Sequence, residues 1–188
     1  MRVIAGAVRG ARLQAPPTRE TRPTLNMMKE AMFAALGEAA GSGQVLDLYA
    51  GSGQLGIEAL SRGASHIDFV DNGRLARRTI RRNLERTRFT AQGRIWRQRL
   101  PGALALLAKR GRGPYDLVLI DPPYEAPEVD SVLAELGTGT LLAKGAWVVV
   151  EHTKRRELEE RYGELKRTGG RRHGDNVYAI FHRRPRDS

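Results

Sequence analysis

Five short apolar runs, at residues 45–49, 67–70, 94–97, 115–120 and 146–151, alternate with stretches of helical periodicity at 54–62, 73–88, 101–110 and 127–136. Strands separated by helices cannot pair as simple hairpins, so the alternation predicts a mostly parallel sheet with helices on both faces. Two further runs, 162–168 and 177–182, flank a basic glycine-rich stretch at 169–174 that reads as a turn, and they predict a closing hairpin. The expected fold is an open α/β sheet.

A chain of 188 residues holds about one domain. Met28, Met32, Ala35 and Leu36 recur at helical spacing with Gly37 as a stop, so the main domain is read as 25–188. Residues 1–24 read as a separate piece, a small hairpin around Gly6 and Gly10 followed by an extended stretch through Pro16-Pro17 and Arg22-Pro23-Thr24. This extension carries Arg2, Arg9, Arg12, Arg19 and Arg22 against one acid, Glu20. It is too small to hold a core, so it must lie on the main body or on a ligand, and its arginines are candidate RNA contacts.

Composition narrows the partner. Lysine and arginine total 32 against 21 acids, a net charge of +11, and 27 of the cations are arginine. A GC-rich coding bias explains the choice of arginine over lysine but not the net excess, which favours a polyanion such as nucleic acid. The absence of cysteine excludes a disulfide scaffold, a thiolate metal site and a cysteine nucleophile. The four histidines show no ligand spacing, so no metal is expected. The N-terminus lacks the apolar segment of a secretory signal and no run approaches a membrane span, so a soluble, cytoplasmic protein is expected. Nothing requires more than a monomer.

The strongest local signal is Asp47-Leu48-Tyr49-Ala50-Gly51-Ser52-Gly53-Gln54-Leu55-Gly56, which follows the first strand and opens a helix. In that context a glycine-rich loop binds nucleotides: Gly51 takes a positive φ, Gly53 lets a ligand approach the backbone, and Gly56 allows close helix–strand packing. Asp71, 20 residues after Gly51 at the end of the second strand, is placed to accept hydrogen bonds from ribose hydroxyls. A mere tight turn is the plain alternative, and a dinucleotide the obvious rival. Asp47 opposes the dinucleotide, because an acid four residues before the first glycine repels a pyrophosphate and suits an ammonium, such as the methionine end of S-adenosylmethionine.

The fourth strand runs directly into Asp121-Pro122-Pro123-Tyr124. In an open α/β sheet this end adjoins the first strand, which sets the tetrapeptide beside the glycine loop. An exocyclic amine on a base is a poor nucleophile because its lone pair is delocalised into the ring. The Asp121 carboxylate and the Pro122 carbonyl offer acceptors that localise that pair, and two prolines stiffen the turn before reaction. Tyr124 offers a stacking face worth about 1–3 kcal/mol to an unstacked base. A chance Pro-Pro turn is the alternative, which the position after a strand disfavours.

Together these motifs resemble the Rossmann-like, S-adenosylmethionine-dependent amino-methyltransferases. The chain more narrowly resembles the RsmD family of 16S rRNA guanine-N2 methyltransferases, on Arg2-Val3-Ile4-Ala5-Gly6, Thr21-Arg22-Pro23-Thr24, Lys29-Glu30-Ala31-Met32-Phe33, Glu58-Ala59-Leu60-Ser61-Arg62-Gly63-Ala64, Val149-Val150-Glu151-His152 and Arg172-His173-Gly174-Asp175. The resemblance implies a seven-stranded, mostly parallel sheet with an antiparallel last strand, and methylation of guanine N2 in a loop of the small-subunit head. It implies S-adenosylmethionine held by Asp47, Gly51, Gly53, Gly56 and Asp71, and a guanine held by Asp121, Pro122 and Tyr124. The chain departs from the family at Leu25-Asn26-Met27-Met28, where a more polar, arginine-containing stretch is usual. Gln98-Arg99-Leu100 lacks the acid that many methyltransferases place near the adenine amine.

Rival readings are a DNA adenine-N6 or cytosine-N4 methyltransferase, disfavoured by the lack of a target-recognition domain, and a non-catalytic RNA-binding ribosome factor. A NAD-dependent oxidoreductase is opposed by Asp47 and the 121–124 turn, and protein glutamine methylation by Asp121, where that subgroup has Asn. Arg74, Arg77, Arg78, Arg81 and Arg82 stripe one helix face, which reads first as solvated surface and second as an RNA contact.

Overall fold

The computed structural model describes residues 1–15, 23–124 and 126–184. After an N-terminal segment, the chain runs α1 (Pro23–Leu36), a 3-10 turn (Gly37–Gly41), β1 (Gln44–Leu48), α2 (Gln54–Arg62), β2 (His66–Val70), α3 (Arg74–Thr87) and β3 (Gly93–Trp96). Then follow α4 (Gly102–Lys109), β4 (Tyr115–Ile120), α5 (Val129–Thr138), β5 (Leu142–Thr153), β6 (Arg161–Tyr162), β7 (Leu165–His173) and β8 (Asn176–Arg183). One sheet takes the order β3-β2-β1-β4-β5-β8-β7-β6. Strands β1 to β5 pair in parallel, and β8 runs antiparallel to β5. This is the expected doubly wound α/β architecture with a reversed last strand.

Four expectations need correction. The sheet has eight strands rather than seven, because the two-residue β6 pairs with the start of β7. Helix α1 begins at Pro23, so Pro23 and Thr24 are helical rather than extended. Proline is suited to the first helical position, where its fixed φ is already right and its missing N–H has no partner to lose. The stretch 169–174 is not one turn: Gly169 through His173 belong to β7, and His173 pairs with Asn176 across a two-residue connection. Gly174, at φ +64°, supplies the left-handed conformation such a connection needs. The N-terminal hairpin reduces to a single antiparallel bridge, Arg2 with Arg12, flanked by Val3 N–H to Ala11 and Gly10 N–H to Val3 bonds.

Both sheet faces are covered. Leu104, Leu107, Val132 and Leu136 from α4 and α5 pack on one face with Val118 and Val148. Phe33, Ile57, Leu60 and Ile80 from α1, α2 and α3 pack on the other with Leu117 and Val149. Val3 and Leu13 of the N-terminal segment are buried in this second cluster. Each contributes about 1.5–3 kcal/mol by burial, enough to hold the segment on the body. The rest of the anchoring is polar and specific.

Glu58 on α2 is fully buried and accepts hydrogen bonds from the Ile4 and Ala5 N–H groups at 2.8 and 3.1 Å and from Arg62 Nε at 3.0 Å. Lys29 Nζ, 3% exposed, lies 3.6 Å from the same carboxylate and donates to the Arg2 carbonyl at 2.9 Å. Asn83 on α3, also fully buried, pairs with both backbone groups of Gln14 (2.8 and 3.0 Å) and donates to the Ser52 carbonyl at 2.9 Å. The N-terminal segment is thereby tied to the helix and loop that follow β1.

Removing the Glu58 carboxylate strands a buried ammonium and two backbone donors. Glu58→Ala is expected to lower stability by about 3–5 kcal/mol in urea unfolding, and Glu58→Leu combined with Lys29→Met to recover much of that loss. A Glu58→Ala change below about 1 kcal/mol would show that the buried pair does not anchor the segment.

Candidate active site

Parallel pairing of β1 with β4 aligns Leu48 with Ile120, so the loop after β1 and the turn after β4 leave the sheet side by side. Pairing of β1 with β2 aligns Leu48 with Val70 and brings Asp71 to the same edge. Gly51, Asp71 and Asp121 line one open cavity of about 590 Å³ there. That volume suits a nucleoside-sized ligand.

Each wall follows from its local backbone. Gly51 has φ +57° and donates its N–H to Asp71 Oδ2 at 2.9 Å, while Gly73 N–H donates to Asp71 Oδ1 at 2.7 Å. Both carboxylate oxygens are thus fixed, with their remaining lone pairs available to a ligand. Arg77 folds back to donate to the Asn72 and Asp71 carbonyls at 2.6 and 3.3 Å, which braces the same turn. It is the exception in its stripe, since Arg74, Arg78, Arg81 and Arg82 are exposed.

Other expected residues lie beneath the cavity rather than on its wall. A Cβ on Gly56 would stand 2.2 Å from Ile67 Cδ1 and 2.4 Å from Phe69 Cε1, so this glycine is required for α2 to close on β2. Gly53, at φ +75°, has its α-carbon turned toward Phe69 and Ile80, and its N–H is engaged by the Ala50 carbonyl at 2.7 Å. Asp47 is 1% exposed and accepts a hydrogen bond from Gly56 N–H at 3.0 Å. Burial pushes its carboxyl well above the usual carboxylate range, the Gly56 bond opposes this, and the nearby charges of Asp121 and Asp71 add to the rise. Asp47 beneath the cavity and Asp71 and Asp121 on its wall thus cluster at one corner.

On the other wall Asp121 and Pro123 face the cavity, while Pro122 is half-buried beside it and Tyr124 is 73% exposed at the rim. Of the N-terminal candidates, Arg2, Arg9 and Arg12 are exposed, and Arg19 and Arg22 lie outside the described residues.

Sequence reasoning missed Tyr49 and Glu128, which also line the cavity. Tyr49 holds φ +59°, a costly conformation for a bulky residue, and its hydroxyl donates to Glu128 Oε1 at 2.8 Å. Burial raises the Tyr49 pKa, and the Glu128 carboxylate raises it further, so the phenol keeps its proton. The only available signal was an aromatic next to the glycine loop. The cavity continues over Val70, Leu75 and Ala76 to Arg99 and Leu100, an apolar wall with one cation where an acid is absent. No group of His, Cys, Asp and Glu among the described residues is arranged to hold a metal, and no helix among them is long and apolar enough to cross a membrane.

Residues 1–182 match the family described as "Conserved hypothetical protein 95". The chain belongs to this family. It is the RsmD family of rRNA methyltransferases, and S-adenosylmethionine is its cofactor. A relative from Bacillus subtilis named "Putative rRNA methyltransferase YlbH" is 37% identical over 184 residues, covering 98% of this chain and 100% of that one. "Ribosomal RNA small subunit methyltransferase D" of Escherichia coli K12 is 32% identical over 151 residues, 80% of this chain and 74% of that one. Among solved structures, "Putative methyltransferase yhhF from Escherichia coli" superposes with a TM-score of 0.82 at 27% identity, covering 99% of both chains. The residues present fit the cofactor, with a glycine loop, a fixed acid for ribose hydroxyls, an acidic corner and an apolar wall on one cavity.

The buried Asp47 carries a consequence for pH. Its folded pKa lies above the unfolded one, so the folded chain holds an extra proton between the two values and stability declines as pH rises through that window. Asp47→Asn is expected to flatten the decline, to melt at least as high as wild type at about pH 8, and to bind S-adenosylmethionine more weakly in calorimetry. A variant that melts lower at that pH with an unchanged slope would show the carboxylate to be stabilising.

Proposed function

We propose that this chain transfers a methyl group from S-adenosylmethionine to the exocyclic N2 amine of a guanine in 16S rRNA, in a loop of the small-subunit head. The observation that carries the reading is the shared cavity: the glycine loop, Asp71 and the Asp121 turn open on one space because β1 and β4 are neighbours.

When bound, the cofactor supplies an electrophilic methyl group on a positively charged sulfur. In this reading the chain does the rest. Asp71, oriented by Gly51 and Gly73, accepts the ribose hydroxyls, and the loop backbone with Asp47 beneath it takes the methionine end. Val70, Leu75 and Leu100 offer an apolar seat for the adenine ring. The guanine rests against Tyr124, whose exposure leaves its ring face open to an unstacked base. Asp121 and the Pro122 carbonyl accept the two N–H bonds of the amine and localise its lone pair toward the methyl group. As nitrogen gains positive charge, the Asp121 carboxylate stabilises it, and the surplus N–H proton then leaves along that hydrogen bond to the carboxylate and on to water. In-line placement supplies most of the remaining rate. The basic N-terminal segment, with Arg2, Arg9 and Arg12 exposed, contributes phosphate contacts.

Tritiated-methyl transfer onto unmodified small subunits and onto naked 16S rRNA, followed by nucleoside analysis, is expected to yield N2-methylguanosine. Label in any other nucleoside, transfer to a duplex DNA acceptor run in parallel with none to RNA, or no transfer despite cofactor binding, would refute the reading. Asp121→Ala is expected to lower turnover by about a thousandfold, comparable to losing a principal electrostatic contact, while S-adenosylmethionine affinity stays within about threefold. Near-normal turnover in that variant would remove Asp121 from the amine.

A further inference from the structure

We propose that the free end of the β7–β8 hairpin is a second RNA-binding surface, which grips the phosphate backbone of the strand whose base enters the 121–124 turn. This rests on the RNA methyl-transfer reading above.

The hairpin end is built as a ribbon that packing does not explain. Five consecutive β7 residues, 168–172, are exposed, so both faces of the strand stand clear of the core there. They are Thr168, Gly169, Gly170, Arg171 and Arg172, none of which adds apolar burial. The pairing is nevertheless kept to the tip, through Arg171 with Tyr178, Arg172 with Val177 and His173 with Asn176. Gly170 permits it, since a Cβ there would lie 2.4 Å from the Tyr178 carbonyl oxygen. A strand held in register without a buried face has its side chains available for a partner.

Its position selects the partner. Ile120 pairs with Val150, Val150 with Ala179, and Ala179 with Gly170. One residue further along this row, Asp121 and Arg171 stand at the same level of the sheet edge, three strand spacings or about 14 Å apart. Strand alternation sets Arg171 on the face of Tyr178, and Arg172 on the face of Val177 and His152. Because β5 stays paired with β8 as far as Asn176, the open part is the β7 edge, and cations on both faces of that edge suit a backbone that curves around it, rather than a flat acidic protein surface.

The charge is not consumed internally. Asp175 at the turn is engaged by Lys154 Nζ at 2.6 Å and also feels the charges of Arg172 and Arg155. Glu151 shares the face of Arg171 two strands away, so four cations among these described residues stand against two acids. Arg172 Nε donates to the Gly174 carbonyl at 2.9 Å, which braces its guanidinium beside the turn. Arg171 forms no ion pair among the described residues, and Arg155 is exposed on the segment that follows β5. These groups leave a surplus of positive charge at the same edge as the base-binding turn.

The test uses the full chain with Arg171→Ala and Arg172→Ala combined, and the double Arg→Lys variant beside it. Binding is read by fluorescence anisotropy on a labelled, unmodified 16S rRNA transcript across a salt series, and methyl transfer on the same transcript and on unmodified small subunits. The alanine variant is expected to raise KM about tenfold on both acceptors with kcat within about twofold, and to make the slope of log affinity against log salt shallower by roughly 1.5. The lysine variant is expected to restore the slope, because both charges return. An unchanged slope and KM would overturn the proposal. So would a KM rise on small subunits alone, which would assign the ribbon to a ribosomal protein, or a kcat loss without a KM change. If wild-type protein methylates no RNA, the methyl-transfer reading fails separately, and the salt slope still decides whether the ribbon binds RNA.

Discussion

Parallel hydrogen bonding between β1 and β4 is the constraint from which the site follows. The two strands are 72 positions apart in the chain at the aligned pair Leu48 and Ile120, so no local propensity makes them neighbours. Both are almost wholly buried, and an apolar strand buried on both faces has no stable place except the middle of a covered sheet. Once they adjoin, every element leaving their carboxyl ends shares one small region. The glycine loop, the Asp71 turn and the Asp121 turn meet there as a consequence of sheet order.

That edge carries electrostatic tension. Asp68, buried elsewhere in the sheet, is compensated by Trp96 Nε1, the Tyr115 hydroxyl and the Arg112 guanidinium. Asp47 is equally buried, receives the Gly56 N–H and faces the charges of Asp71 and Asp121. The contrast separates a carboxylate that serves the fold from one whose environment lacks a cation. Burial and the like charges of its neighbours therefore favour the protonated form of Asp47, and a cation placed at the corner would favour the ionised one.

Much of this was legible in the sequence, and the failures have physical causes. The strand–helix alternation gave the layer order, and the glycine spacing with Asp71 located one wall because a turn of that kind tolerates few residues. The tetrapeptide after β4 located the other. Tyr49 was not legible: its left-handed backbone is imposed by the loop on both sides and by its bond to Glu128, whereas an isolated tyrosine favours neither. Glu128 could not be found because its partner lies 79 positions away. The glycine-rich stretch 169–174 misled because glycine there serves close strand approach at Gly170 and turning only at Gly174. The arginine stripe of α3 drew attention to the solvent side of a helix whose inward Asn83 does the connecting.

Asn83 shows how a residue remote from any motif becomes intolerant of change. Its single amide serves three backbone groups, two on Gln14 and one on Ser52. Aspartate retains the acceptor but repels both carbonyls, leucine matches the shape and satisfies none of the three, and glutamine overshoots by one methylene. A position with no part in the reaction therefore admits about as few amino acids as the glycines it supports, and a single slip there is felt in two segments of the chain at once.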